Sequence, residues 1–131
     1  MADDSGALFA YGSLQCRDIF GAVTGERRLG VPATFPGYRC VQLRGFSYPA
    51  VIPSDGALTS GVVYSDLSPE LWARLDAYED DFYERKCMRM LLDGGETSSV
   101  FVYVLAASSM DLALDTPWSL DDLDANDLQL F

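Results

Sequence analysis

The sequence predicts a single α+β domain in which short strands curl into a small barrel-like sheet with two helices packed outside it. Three observations carry this. Hydrophobic residues make up 49% of the 131 positions, enough to build one folded core. Two segments, Gln15 to Val23 and Ser68 to Glu79, repeat apolar residues at three-to-four spacing, as an amphipathic helix does. Much of the remaining chain alternates β-prone runs with Gly and Pro, the texture of strands joined by tight turns.

Ala7 to Tyr11 is nearly continuous in apolar residues, as expected of a strand buried on both faces. It runs into Gly12-Ser13-Leu14. The first helix follows, with Cys16, Ile19, Phe20 and Val23 on one face and Gly25 as its stop. From Leu29 to Leu67, nine Gly and Pro residues separate three short β-prone runs, Tyr38 to Leu43, Tyr48 to Ile52 and Gly61 to Tyr64. Ser68-Pro69-Glu70 is a helix start: a Ser N-cap, Pro at the first position and an acid in the first turn. Strands follow at Phe82 to Leu92 and Ser98 to Ala106, joined by a hairpin turn at Asp93-Gly94-Gly95-Glu96. Residues 1–131 read as one domain, with 107–131 an acidic C-terminal tail or a last helix capped by Ser119.

Charge and composition narrow the function. The net charge is −11, of which the final 25 residues supply six aspartates and no base. Nucleic acid and anionic membranes are therefore not expected partners, since both reward clustered Lys and Arg. Histidine is absent, which removes Ser-His-Asp and Cys-His catalysis and HExxH zinc sites. Cys16, Cys40 and Cys87 form no CxxC pair and read as reduced thiols. The acidic N-terminus lacks the positive charge of a signal peptide, and no apolar run approaches membrane-helix length. A soluble, cytoplasmic protein is expected.

Two places could carry chemistry. The first is Tyr11-Gly12-Ser13-Leu14, where a buried strand enters a helix through Gly and successive backbone N–H groups can gather around an anion. The plainer alternative is an ordinary turn in which Ser13 caps the helix. The second is the end of the helix from Ser68. Leu71, Trp72, Leu75 and Tyr78 form its apolar stripe, and Glu79 falls on or beside that face, with Asp76 and Asp80 on the more polar side. A carboxylate on an apolar face is partly desolvated, which raises its pKa toward the range useful for proton transfer. The run Glu79-Asp80-Asp81 also opposes the helix dipole, and local rules tend to break at functional sites. A solvated helix end offset by Arg85 or Lys86 is the competing account. No metal site is expected, because three adjacent acids cannot all point one way. Tyr64, Tyr83 and Tyr103 lie in strand segments that could reach the same interior, though Tyr is at home in strands for other reasons.

Taken together, the segments Leu8-Phe9-Ala10-Tyr11-Gly12-Ser13-Leu14, Tyr48-Pro49-Ala50-Val51-Ile52-Pro53, Gly61-Val62-Val63-Tyr64 and Leu75-Asp76-Ala77-Tyr78-Glu79-Asp80-Asp81-Phe82-Tyr83-Glu84-Arg85 resemble the gamma-glutamylcyclotransferase-like family. That family includes gamma-glutamylamine cyclotransferases and avirulence-induced plant proteins. The likeness extends from about Ala7 to Val104. It implies a compact mixed β-barrel flanked by helices, with a cavity at the YGSL loop. It further implies that Tyr11, Gly12, Ser13 and Leu14 line the substrate site, that Glu79 is the general acid/base, and that neither cofactor nor metal is needed. The implied reaction releases 5-oxoproline from a small gamma-glutamyl amine or peptide. Two other functions stay open: a non-catalytic member that binds a small acidic metabolite in the same cavity, and a lyase or transferase acting on another acyl-amine. Leaving group and oligomeric state are not legible.

Overall fold

Strand β1 (Gly6–Ala10) sends Phe9 to one face and Leu8 and Ala10 to the other, and both faces are buried. The computed structural model describes residues 6–46, 48–79 and 81–118. After β1 come helix α1 (Arg17–Thr24), strands β2 (Val31–Leu43) and β3 (Pro49–Leu67), helix α2 (Pro69–Tyr78), and strands β4 (Tyr83–Leu92), β5 (Thr97–Leu105) and β6 (Ala113–Pro117). The strand order is β3-β1-β5-β4-β2-β6, and β2 also pairs with β3. Five strands thus close into a barrel, and β6 extends the sheet beyond β2. Closure removes the free edges an open sheet would expose.

One core fills the barrel, from Phe9, Ala33, Phe35, Val51, Val63, Met90, Val100, Val102 and Val104. A second lies between the barrel wall and the helices, where Leu8, Ala10 and Tyr64 meet Ile19 and Phe20 of α1 and Leu71, Trp72 and Leu75 of α2. Strand β5 serves both, Val102 and Val104 facing in and Tyr103 facing the helices.

The helix signals behave as their chemistry requires. The Ser68 hydroxyl accepts the N–H of Leu71 at 3.3 Å, a cap of about 1 kcal/mol. Helix α1 begins later than its periodicity suggests. Cys16 is extended, and Ser13–Gln15 forms a separate 3-10 turn before it. At its far end the Gly25 N–H reaches the Gly21 carbonyl at 2.8 Å.

The Gly- and Pro-rich segment departs most from expectation. Instead of several short strands it forms two long ones, of 13 and 19 residues, paired almost end to end. The punctuation is absorbed by a bulge. Pairing jumps from Pro36↔Leu58 to Tyr38↔Pro53, with Gly37 and Gly56 at φ near +80°. Gly61 answers a different need: a Cβ there would sit 2.3 Å from the Ala10 carbonyl oxygen on neighbouring β1.

The C-terminal expectation also changes. Residues 107–117 are a 3-10 helix (Ala107–Leu112) and strand β6, which pairs with β2 at Leu43 and Val41. Trp118 is buried, and its N–H reaches the Cys40 carbonyl at 3.2 Å. Apolar Ala113 and Leu114, half-buried on β6, give this stretch something to pack despite its aspartates. The rest of the expected tail or helix, from residue 119, lies outside the described residues.

Candidate functional site

Tyr11 follows the first strand, and its ring is buried in the barrel core. Its hydroxyl donates to the Tyr103 carbonyl of β5 at 2.5 Å. Burial, then the negative charge of Glu79, then Cys40 push the phenol well above its ordinary value, so it stays neutral. The chain turns at Gly12, which lies against the Pro49 ring; a Cβ there would meet Pro49 Cγ and Cδ at 3.3 Å. The close approach allowed by Gly12 is therefore to β3. Ser13 caps neither helix. Its Oγ instead bonds the Tyr78 hydroxyl of α2 at 3.1 Å. Leu14 turns down into the helix-side core, and its carbonyl accepts the Tyr64 hydroxyl at 2.7 Å. The Gln15 amide donates back to the Tyr11 carbonyl at 2.5 Å. The first bond of the turn runs from the Gln15 N–H to the Gly12 carbonyl, leaving the Ser13 and Leu14 amides without an intrahelical acceptor.

Glu79 stands where α2 ends. Its N–H makes the last helical bond, to Leu75 at 3.1 Å, and its own backbone is extended, which turns the chain out of the helix. The residue is half-buried, and its charge is felt by the phenols of both Tyr11 and Tyr103. The Ser13–Tyr78 bond, made one residue before Glu79, ties the end of α2 to the Tyr11–Leu14 loop, far apart in sequence. Arg85 lies 3.4 Å from Asp76 and Lys86 3.6 Å from Glu84.

Several residues that sequence reasoning set aside join this corner. Asp76, placed on the polar side of α2, accepts the Tyr103 hydroxyl at 2.6 Å. Tyr103 is held neutral by burial, then by its bond to Asp76 and the charges of Asp76 and Glu79. The Tyr83 hydroxyl donates to the Pro49 carbonyl. Cys40, on β2, is a free thiol that burial pushes up to about 12, so it is no nucleophile at neutral pH. The only signal for the tyrosines was that they fall in strand segments; nothing local marked Asp76.

The arrangement offers one half-buried carboxylate beside two phenols locked in the neutral form. That suits proton transfer at one group and hydrogen-bond donation from the surroundings. Among the described residues, no group of three or more His, Cys, Asp or Glu could hold a metal ion, and no helix is long and apolar enough to cross a membrane.

The family model for gamma-glutamyl cyclotransferase, AIG2-like, matches residues 8–120, covering the barrel, the loop and both helices. The chain belongs to that family. Within it, AIG2-like protein A of Arabidopsis thaliana is 31% identical over 98 residues, which are 74% of this chain and 59% of that protein. The chain thus spans rather more than half the length of such curated relatives. A solution structure of another Arabidopsis thaliana protein superposes with a TM-score of 0.75 at 26% identity, covering 87% of this chain and 79% of the other. A structure described as a gamma-glutamyl cyclotransferase gives 0.71 at 15% identity, covering 78% and 67%, and this likeness shows a common fold.

Proposed function

We propose that this member of the gamma-glutamyl cyclotransferase, AIG2-like family is an enzyme that releases 5-oxoproline from a small gamma-glutamyl amine or peptide. In this reading Glu79 is the general acid/base, and Tyr11, Gly12, Ser13 and Leu14 hold the substrate. What supports it is the bond between the Ser13 hydroxyl of the loop and the Tyr78 hydroxyl at 3.1 Å, which ties the loop to the residue preceding the half-buried Glu79, whose charge pushes the Tyr11 phenol up.

The chemistry needs one carboxylate. Glu79 takes a proton from the substrate's α-ammonium group, freeing a lone pair that attacks the γ-carbonyl carbon. As the lactam C–N bond forms the ring nitrogen gives up its second proton, the γ-amide C–N bond breaks, and Glu79 relays both protons to the departing amine, which leaves as an ammonium ion. The Ser13 and Leu14 amides, which have no acceptor within the 3-10 turn, are the groups suited to the substrate carboxylate or the developing oxyanion. Folding the glutamyl chain into a near-ring conformer makes the attack intramolecular, which can supply about 7–11 kcal/mol. Neutral phenols at Tyr11 and Tyr103 leave Glu79 as the group that changes charge.

The test is 5-oxoproline release from a panel of gamma-glutamyl amines and dipeptides. Glu79→Gln keeps the shape and is expected to cut turnover by about 10²-fold or more. Wild-type turnover in that variant overturns the mechanism, and tight binding without product from the native chain assigns the site to metabolite binding instead.

A further inference from the structure

The last turn of α2 is tied to the sheet through a carboxylate that the proposed chemistry does not use. Asp76 lies one turn before Glu79. One of its oxygens accepts the Tyr103 hydroxyl of β5 at 2.6 Å, and the other faces Arg85 of β4 at 3.4 Å. The guanidinium of Arg85 lies over the Trp72 ring at 4.4 Å and near Phe101 at 5.4 Å, so the cation is fixed by the aromatic surface beneath it. Tyr103 is bonded twice: its side chain reaches α2 through Asp76, and its carbonyl receives the Tyr11 hydroxyl from the loop. A lone exposed ion pair contributes little, whereas a carboxylate bonded to both a phenol and a stacked guanidinium is held in one geometry.

We propose that Asp76 is a positioning residue: clamped between Tyr103 and Arg85, it fixes the last turn of α2 and so holds the Glu79 carboxylate against the wall formed by Tyr11 and Tyr103. The inference rests on Glu79 being the acid/base of this site. It goes further in assigning a role to a residue one helical turn away that touches no reacting atom.

The groups around this corner give the arrangement a signature. Tyr11 meets it from the loop, Tyr103 from β5, Cys40 from β2 beside Tyr11, Asp76 from α2 itself, and Arg85 from β4 behind Asp76. Asp76 is a like charge to Glu79, so removing it lets Glu79 lose its proton at lower pH. Arg85 is an opposite charge, and removing it does the reverse.

The experiment is a titration of the full chain carrying 13C-labelled glutamate carboxyls, with Glu79 assigned by its loss in Glu79→Gln. Asp76→Asn, which keeps an oxygen for the Tyr103 hydroxyl, is expected to move the Glu79 midpoint about 0.5 pH unit or more downward. Arg85→Met, which keeps an apolar stem over Trp72, is expected to move it upward. In 5-oxoproline release, Asp76→Ala should lower kcat about tenfold or more with KM changed less than about threefold, and Asp76→Asn should restore most of the loss. An unmoved Glu79 midpoint in both charge variants overturns the proposal, as does wild-type kcat in a folded Asp76→Ala. If Asp76→Ala fails to fold, the two conservative variants still decide. If the native chain makes no 5-oxoproline, the cyclotransferase reading fails, while the titration still decides whether Asp76 governs Glu79.

Discussion

Phe9 on β1 and Tyr11, just beyond its end, have ring centroids 6.4 Å apart, yet they belong to two regions built on different principles. Around Phe9 the barrel interior is nearly all hydrocarbon, and Phe9 meets Phe35 edge-on at 5.9 Å. Around Tyr11, and across the wall toward α2, the buried rings include phenols whose hydroxyls are bonded: Tyr11 to Tyr103, Tyr103 to Asp76, Tyr64 to Leu14. The interior holds by area removed from water, which tolerates small shifts. The site corner holds by directional bonds, which do not. The same barrel therefore carries a forgiving centre and an exacting rim.

Three measurements would sharpen or break that comparison. Phe9→Ala should have the largest effect, costing about 3–5 kcal/mol in denaturant unfolding, because the closed barrel cannot collapse around the missing ring. Tyr11→Phe keeps the packing and removes one oxygen. Its expected cost is about 1–3 kcal/mol, from stranding the Tyr103 carbonyl, together with a loss of turnover. A Tyr11→Phe chain as stable and active as the parent would dissolve the distinction between the two regions.

The third effect is absent at neutral pH and grows with alkali. Burial lifts Tyr64 from 10 and Cys40 from 9, both to about 12. Tyr11 and Tyr103 are raised as well. Below about pH 9 these groups are neutral whether folded or unfolded, and their contribution is fully present. Between roughly pH 9 and 12 the unfolded chain releases its protons first, so stability must fall as pH rises. Denaturation midpoints taken across that range, with phenolate absorbance as a second reading, should show unfolding and tyrosine ionisation together. Ionisation of all seven tyrosines before any loss of stability would contradict the bonded corner.

Features encoded over a few residues were legible in the sequence. Ser68-Pro69-Glu70 starts a helix because the cap and the first turn are neighbours, and Gly94-Gly95 turns a hairpin because its partners are adjacent. The Tyr11–Leu14 loop stood out because a buried strand enters a helix there through Gly, and Glu79 because it falls by an apolar face in an acidic run that opposes the helix dipole. What failed was the inference of strand length from punctuation. Between Leu29 and Leu67, Gly37 and Gly56 sit in a bulge that lengthens the hairpin rather than ending it. The expected tail failed similarly from residue 107, where β6 finds a partner in β2.

By itself the sequence determined the ingredients: an apolar first strand, a capped helix with an acid at its end, a chain without histidine, and a family resemblance spread over four segments. Only the tertiary structure decided that Asp76, solvent-facing by helical spacing, is held by Tyr103 and Arg85, and that Ser13 bonds Tyr78 rather than a helix end. The physical reason is distance along the chain. Spacing reports which way a side chain leaves its own element, whereas its partner is chosen by barrel closure, which sets β5 and β4 beside α2.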